Sequence, residues 1–143
     1  MTHYLDSSVL LRIVLGQPGR LRGWRRITRG VCSGLAEVEC LRTLDRLRIE
    51  EDLDEDEFAR RRGALLELLG SLTLVDPGRA VLERAAQPLP TVLGTLDAIH
   101  LATALLYRDA VREPLILATH DRALARAAQA HAIPVIGAEG RAR

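Results

Sequence analysis

Four acidic residues stand where their carboxylates could act together. Asp6 follows a short apolar strand pattern, Asp97 lies in the first turn of an apolar helix, and Asp121 opens a helix directly after a buried strand pattern. In open α/β sheets, strand ends and helix starts meet at one edge, where ligands bind. We therefore predict that the three aspartates face one cleft. Glu39, on an earlier helix, is a fourth candidate.

Each of these residues also has a purely structural explanation. An acidic residue at the start of a helix caps free backbone N–H groups and interacts favourably with the helix dipole. Glu39 could instead form a local ion pair with Arg42, three residues further along its helix. Capping alone explains any single aspartate. A shared site is favoured when all three are considered, because strand-end positions of one parallel sheet converge.

A shared acidic site requires a counter-charge, because crowded carboxylates repel one another. A divalent cation would supply it, and oxygen ligands select Mg²⁺, with Mn²⁺ as a possible substitute, over zinc or copper. His100 lies one turn after Asp97 and could orient a carboxylate, but we expect a packed core histidine rather than a catalytic residue. Cys32 and Cys40 have neither zinc-site nor CxxC spacing, so we expect buried, reduced thiols.

The basic residues narrow the possible chemistry. All 20 are arginine, and the chain of 143 residues has a net charge of only +1. The lack of lysine excludes P-loop, Schiff-base and receiver-type phosphotransfer chemistry. Arginine still binds phosphate through two parallel hydrogen bonds. The Arg-rich segment 20–29 around Trp24 is therefore either a phosphate-binding surface or a solvated, short exposed helix.

Short apolar segments alternate with helical patterns along the whole chain. We predict strands at residues 4–5, 31–32, 72–75, 115–118 and 133–136. We predict helices over residues 33–48, 54–69, 79–87 and 121–131, and one beginning at residue 95. This order predicts a mostly parallel sheet with helices on both faces. Residues 1–143 show no domain boundary, leader or membrane-spanning run, which predicts one domain, a cytoplasmic location and no membrane partner.

Four segments resemble the PIN-domain ribonucleases, and within them the VapC-type toxins of bacterial toxin–antitoxin pairs. They are residues 4–10 (Tyr-Leu-Asp-Ser-Ser-Val-Leu), 33–42 (Ser-Gly-Leu-Ala-Glu-Val-Glu-Cys-Leu-Arg), 96–104 (Leu-Asp-Ala-Ile-His-Leu-Ala-Thr-Ala) and 117–125 (Leu-Ala-Thr-His-Asp-Arg-Ala-Leu-Ala). They occur in the family's order across the whole chain. Cys40 stands where an aliphatic residue is usual, which does not affect the site.

The resemblance implies a three-layer α/β/α fold with a five-stranded, mostly parallel sheet. It also implies an acidic cluster that binds Mg²⁺ and carries out catalysis, formed by Asp6, Glu39, Asp97 and Asp121. Thr119 would lie beside the cluster, and we add Ser7 and Arg42 as supporting residues. Because all four acidic positions are filled, the resemblance implies an active enzyme.

The predicted function is that of an endoribonuclease toxin of a type II toxin–antitoxin system, which hydrolyses RNA with metal-activated water. The expected partners are RNA, a small antitoxin whose Arg-bearing tail reaches the acidic cleft, and a second copy of the chain. The main alternative is a catalytically silent PIN-like module whose cleft docks a partner's Arg. A dehalogenase-type phosphotransferase would require an aspartate where the chain has Ser8, and a lysine. A flap-type DNA nuclease would require a longer insertion.

Overall fold

The computed structural model describes residues 1–138 of the chain. The predicted single domain also includes residues 139–143, which lie outside the described residues. The elements are, in chain order, β1 (Thr2–Leu5), α1 (Ser7–Val14), β2 (Gly30–Ser33), α2 (Gly34–Glu50), α3 (Glu55–Gly70), β3 (Thr73–Val75), α4 (Arg79–Ala85), α5 (Thr95–Val111), β4 (Leu115–Ala118), α6 (Arg122–Ala130) and β5 (Val135–Ile136).

The five strands form one sheet in the order β3-β2-β1-β4-β5, and each neighbouring pair is parallel. This confirms the predicted five-stranded sheet. The chain builds outward from β1 in one direction and from β4 in the other, so the topology reverses between these two central strands. In open α/β sheets, such a switch point opens a crevice at the carboxyl ends of the strands. Asp6 follows β1 and Thr119 follows β4, so both residues lie at this crevice.

Alternate residues of each strand contribute their side chains to two separate cores, as the period of two in a β-strand requires. The core beneath α5 and α6 contains Tyr4, Val31, Leu101, Leu117 and Leu124. The core beneath α1, α2 and α3 contains Leu5, Val9, Cys32, Leu65 and Ala118. The central strands are therefore covered on both faces, which explains their continuous apolar runs. This arrangement is the predicted three-layer α/β/α fold.

Side-chain caps set the start of several helices where the sequence predicts them. The Ser33 hydroxyl accepts a hydrogen bond from Leu35 N at 3.0 Å and caps α2. The Asp121 carboxylate accepts one from Leu124 N at 2.8 Å and caps α6. These caps satisfy backbone N–H groups that have no partner within the helix. The two helices consequently begin at the crevice edge of the sheet, where the candidate site lies.

The prediction of a helix over residues 20–29 is wrong. Only Trp24–Arg26 forms a short 3₁₀ turn. Gly19 and Gly23 adopt left-handed φ angles of 78° and 71°, which interrupt a right-handed helix. Leu21 is buried in the core beside α1, so the segment loops inward rather than forming an exposed helix.

Several predicted bounds also shift by a few residues. The first strand begins at Thr2 rather than at residue 4, and α4 ends at Ala85 rather than at residue 87. The last strand is limited to Val135–Ile136. None of these shifts moves a candidate site residue. Within residues 1–138, no helix combines the length and apolar character needed to cross a bilayer.

Candidate functional site

Asp6 is the most buried of the candidate acidic residues, with 3% of its surface exposed. Its Oδ1 accepts hydrogen bonds from Ser8 Oγ at 2.6 Å and from Val9 N at 3.2 Å. Its Oδ2 accepts one from Thr119 Oγ1 at 2.5 Å. Burial raises the pKa of Asp6, while these hydrogen bonds and the nearby His100 partly oppose that rise. The Asp6 carboxylate is therefore held in one orientation.

The turns that follow β1 and β4 are joined by hydrogen bonds across the switch point. Ser8 Oγ, which donates to Asp6, also accepts from His120 N at 3.0 Å. Thr119 Oγ1 donates to Asp6 and accepts from Asp121 N at 3.0 Å. The hydroxyl that holds Asp6 in the first turn of α1 thus belongs to Ser8. Ser8 rather than Ser7 makes this contact, because the hydroxyl two positions after the N-cap reaches its side chain, and the supporting role of Ser7 stays a prediction.

Gly137 allows the chain after β5 to approach the second of these turns closely. Its φ is 91°, and a Cβ added there would lie 2.8 Å from the carbonyl oxygen of Thr119. A side chain would therefore displace Thr119, whose hydroxyl holds Asp6. His120 also hydrogen bonds to this segment, through Nδ1 and the Gly137 carbonyl at 2.8 Å. The glycine is required here by close backbone packing as well as by its φ angle.

Asp97 lies half-buried in the first turn of α5, opposite these turns. Burial raises its pKa, and the negative charges of Asp121, Asp6 and Glu39 raise it further, against an opposing effect of His100. Such effects require the charges to lie near one another. The charges of the other three predicted carboxylates thus act on Asp97. That the four form one site stays a prediction.

Glu39 reaches this neighbourhood from α2 through a contact that the sequence did not predict. Its Oε1 lies 2.5 Å from Nε2 of His100, which is 1% exposed. His100 Nδ1 lies 2.8 Å from the hydroxyl of Tyr4. Glu39 pairs with His100 rather than with Arg42, which is exposed, and the supporting role of Arg42 stays a prediction. The only clue in the sequence was that a buried histidine needs partners for both ring nitrogens.

The donor chemistry of the four carboxylates suits a hard divalent cation, but the groups are not arranged as a finished binding site. Within residues 1–138, no three His, Cys, Asp or Glu side chains have positions that could already surround a metal ion. Asp6, Glu39 and Asp121 each have an oxygen engaged in a hydrogen bond. The mutual repulsion at Asp97 nevertheless fits a site that a cation would neutralise.

The two cysteines are buried in the core beside α2, as predicted. Burial raises the pKa of both the Cys32 and the Cys40 thiol to about 12. Both thiols therefore stay protonated at neutral pH and are poor metal ligands or nucleophiles. The chemistry of the site rests on its oxygen groups.

Comparison with known proteins supports this fold. The model of the PIN domain family matches residues 3–130. The chain is 39% identical to Ribonuclease VapC46 of Mycobacterium tuberculosis over 104 residues, which are 71% of this chain and 72% of that protein.

Two solved structures share the fold at low sequence identity. A toxin–antitoxin complex from Klebsiella pneumoniae has a TM-score of 0.62 at 19% identity, covering 94% of this chain and 95% of that one. VapBC2 from Rickettsia felis, bound to a DNA fragment from its promoter, has a TM-score of 0.66 at 10% identity, covering 94% and 97%. With the sequence match to VapC46, these findings show that the chain belongs to the PIN-domain family and, within it, to the VapC-type proteins.

Proposed function

We propose that the chain is a divalent-metal-dependent endoribonuclease and the toxin of a type II toxin–antitoxin pair. The observation that carries the proposal is the position of Asp97, where burial and the charges of three further carboxylates raise its pKa. The ribonuclease name of the M. tuberculosis relative gives the reaction class. A cleft of this charge repels a phosphodiester unless a cation is bound, so metal dependence is part of the proposal.

Asp6, Glu39, Asp97 and Asp121 would hold Mg²⁺, with Mn²⁺ as a possible substitute. The bound ion would polarise the phosphoryl oxygens and neutralise their charge. Ser8 and Thr119 hold the Asp6 carboxylate in place. A carboxylate of the cluster would accept the proton of the attacking water.

Two exposed arginines near the crevice are candidates to position RNA. Leu21 packs close to Gly137, which in turn lies against Thr119. Arg20 and Arg22 flank Leu21 and are exposed, so the backbone places them beside the crevice edge. Arg29, in contrast, pairs with Glu113 at 3.0 Å, just before β4 and thus at the opposite edge of the sheet. We propose phosphate contacts from the first pair, which would position the strand without reading its sequence.

A small antitoxin and a second copy of the chain are the proposed protein partners. The Klebsiella and Rickettsia structures are described as a toxin–antitoxin complex and a VapBC protein, respectively. An apolar groove between α1 and α3, lined by Ile13, Val14, Trp24 and Leu68, could accept part of such a partner. An Arg side chain from the antitoxin could pair with the acidic cluster through two parallel hydrogen bonds.

The proposal is tested with an end-labelled single-stranded RNA and the purified chain. We expect cleavage with Mg²⁺ or Mn²⁺ and none in excess EDTA. Asp97→Asn should reduce cleavage at least about 100-fold, on the scale of losing a group that acts in the transition state. Asp109→Asn is the matched control, because Asp109 lies on the same helix but pairs only with Arg108. Undiminished cleavage in EDTA would refute the proposal.

The second candidate is a catalytically silent module whose acidic cleft binds an Arg of a partner protein. It is favoured by the lack, within residues 1–138, of side chains already arranged around a metal position. The same assay separates the two candidates: the silent module would leave RNA intact with every cation but would still bind an Arg-containing antitoxin. The cytoplasmic location expected from the sequence stays a prediction.

A further inference from the structure

Three polar groups form a hydrogen-bonded line that runs from the core to the acidic cluster. Tyr4 lies in the central strand β1 and is fully buried, and His100, in the second turn of α5, is 1% exposed. The Tyr4 hydroxyl lies 2.8 Å from His100 Nδ1, and His100 Nε2 lies 2.5 Å from Glu39 Oε1. The line therefore joins β1, α5 and α2, which belong to three different layers of the fold.

The direction of the hydrogen bonds follows from the carboxylate at the end of the line. An ionised carboxylate only accepts hydrogen bonds, so the 2.5 Å contact with Glu39 Oε1 requires a proton on His100 Nε2. In the neutral imidazole, Nδ1 is then an acceptor, and the Tyr4 hydroxyl, 2.8 Å away, donates to it.

Packing alone does not account for this line. The two rings meet edge to face, with centroids 6.0 Å apart and an interplanar angle of 71°, a geometry that two apolar aromatic rings would also satisfy. Burying a phenol and an imidazole instead requires every polar atom to find a partner. Here the last partner is a carboxylate that is only 22% exposed and belongs to the acidic cluster.

We propose that Tyr4 and His100 are positioning residues that aim the Glu39 carboxylate into the acidic cluster. Tyr4 holds the imidazole ring of His100 through Nδ1, and His100 fixes the rotamer of Glu39 from the opposite helical layer. This inference rests on the proposed function, because it assigns residues that prepare the same site for a cation. It concerns geometry, so its effects should be visible in the metal-free protein.

The central test removes one hydroxyl and measures binding of Mn²⁺ alone by calorimetry. Tyr4→Phe should weaken Mn²⁺ binding about 10-fold, as expected when a group that orients a metal ligand is lost. Tyr107→Phe is the matched control, because Tyr107 packs against the same core but forms no part of the line. In a Glu39→Gln background, Tyr4→Phe should have no further effect, since the line no longer ends on a carboxylate.

A second readout needs neither metal nor RNA. In the metal-free wild type, ¹⁵N NMR should show the His100 proton on Nε2 and Nδ1 as a hydrogen-bond acceptor, whereas in Tyr4→Phe the Nδ1 resonance should move to that of a nitrogen that accepts no hydrogen bond. Circular dichroism and thermal melting would establish that the variant folds. A wild-type Nδ1–H tautomer, or equal Mn²⁺ affinity in Tyr4→Phe and the wild type, would overturn the inference. If the wild type bound no Mn²⁺ and cleaved no RNA, the proposed function would fail, and the NMR result would decide the positioning role alone.

Discussion

The two sides of the acidic cluster are built differently. On one side, Asp6 is buried and accepts three hydrogen bonds from two turns that meet at the switch point. On the other, Asp97 is half-buried, and its carboxylate forms no hydrogen bond among the described residues. Burial and the negative charges of Asp121, Asp6 and Glu39 raise the pKa of Asp97.

This contrast indicates what each side contributes. The Asp6 side is organised by the fold itself, since two parallel strands and the helices that follow them impose its geometry. The Asp97 side begins at Gly94, which caps α5 without any side-chain hydrogen bond, and the preceding loop exposes Val92 by 95%. We infer that a cation would complete the Asp97 side, whereas the Asp6 side is complete without one. The two aspartates should therefore respond to substitution with opposite signs.

The largest expected effect is at Asp6. Asp6→Ala would leave three donors, two of them buried, without their acceptor and remove the cap of α1. We expect a decrease of about 2 kcal/mol in the free energy of unfolding, measured by urea denaturation in EDTA. RNA cleavage should be lost as well. A stability equal to that of the wild type would contradict the view that this side is organised by hydrogen bonds.

The neighbouring serines provide a matched pair of controls for the same comparison. Ser8→Ala removes one donor to Asp6 and the acceptor for His120 N, so it should reproduce about half of the loss. Ser7→Ala makes the same substitution in the same turn of α1 but leaves the hydrogen bonds to Asp6 intact. If the two alanine variants lost equal stability, the contact between Ser8 and Asp6 would not be what holds this turn.

A smaller effect of opposite sign is expected at Asp97. Asp97→Asn removes a charge that burial and Asp121 disfavour, so the metal-free variant should be more stable at pH 7. We expect a gain below about 1 kcal/mol, because solvent screens this half-exposed group. Thermal melting in EDTA, with Asp109→Asn as the control, measures it. A clear destabilisation would contradict crowding at this site.

The difference in stability between Asp97→Asn and the wild type should depend on pH. Between the ordinary value of 3.8 and the raised pKa of folded Asp97, the folded protein binds more protons than the unfolded one. Wild-type stability at this site therefore falls as the pH rises through that window. The advantage of Asp97→Asn should be fully present above the raised pKa and vanish below about pH 3.8, where Asp97 is protonated in both states.

Local patterns in the sequence predicted much of the fold. The strand Leu115–Ala118 was predicted with its observed bounds. Its continuous apolar run ends immediately before Thr119, and Asp121 caps the helix that follows. The segment 20–29 was predicted as a helix because it is rich in arginine. Two glycines with left-handed φ angles and a buried leucine prevent that helix.

The contacts of the candidate residues depend on packing that local sequence patterns do not show. Convergence of strand ends predicts that Asp6, Asp97 and Asp121 lie together, and this stays a prediction, although burial and the charges of Asp121 and Asp6 raise the pKa of Asp97. The partner of Glu39 was missed because His100 is 61 residues away, and only the packing of α2 and α5 around the sheet brings the two together. Spacing along α2 alone predicts Arg42 as the partner, because Arg42 lies three residues further along the same helix.

The central claim is that the four carboxylates form one site for a divalent cation. Calorimetric titration of the metal-free wild type with Mn²⁺ tests it most directly, beside Asp97→Asn and the control Asp109→Asn. We predict saturable binding by the wild type and the control, and binding at least about 10-fold weaker in Asp97→Asn. Equal affinity in all three proteins, or no binding by the wild type at millimolar Mn²⁺, would contradict the claim.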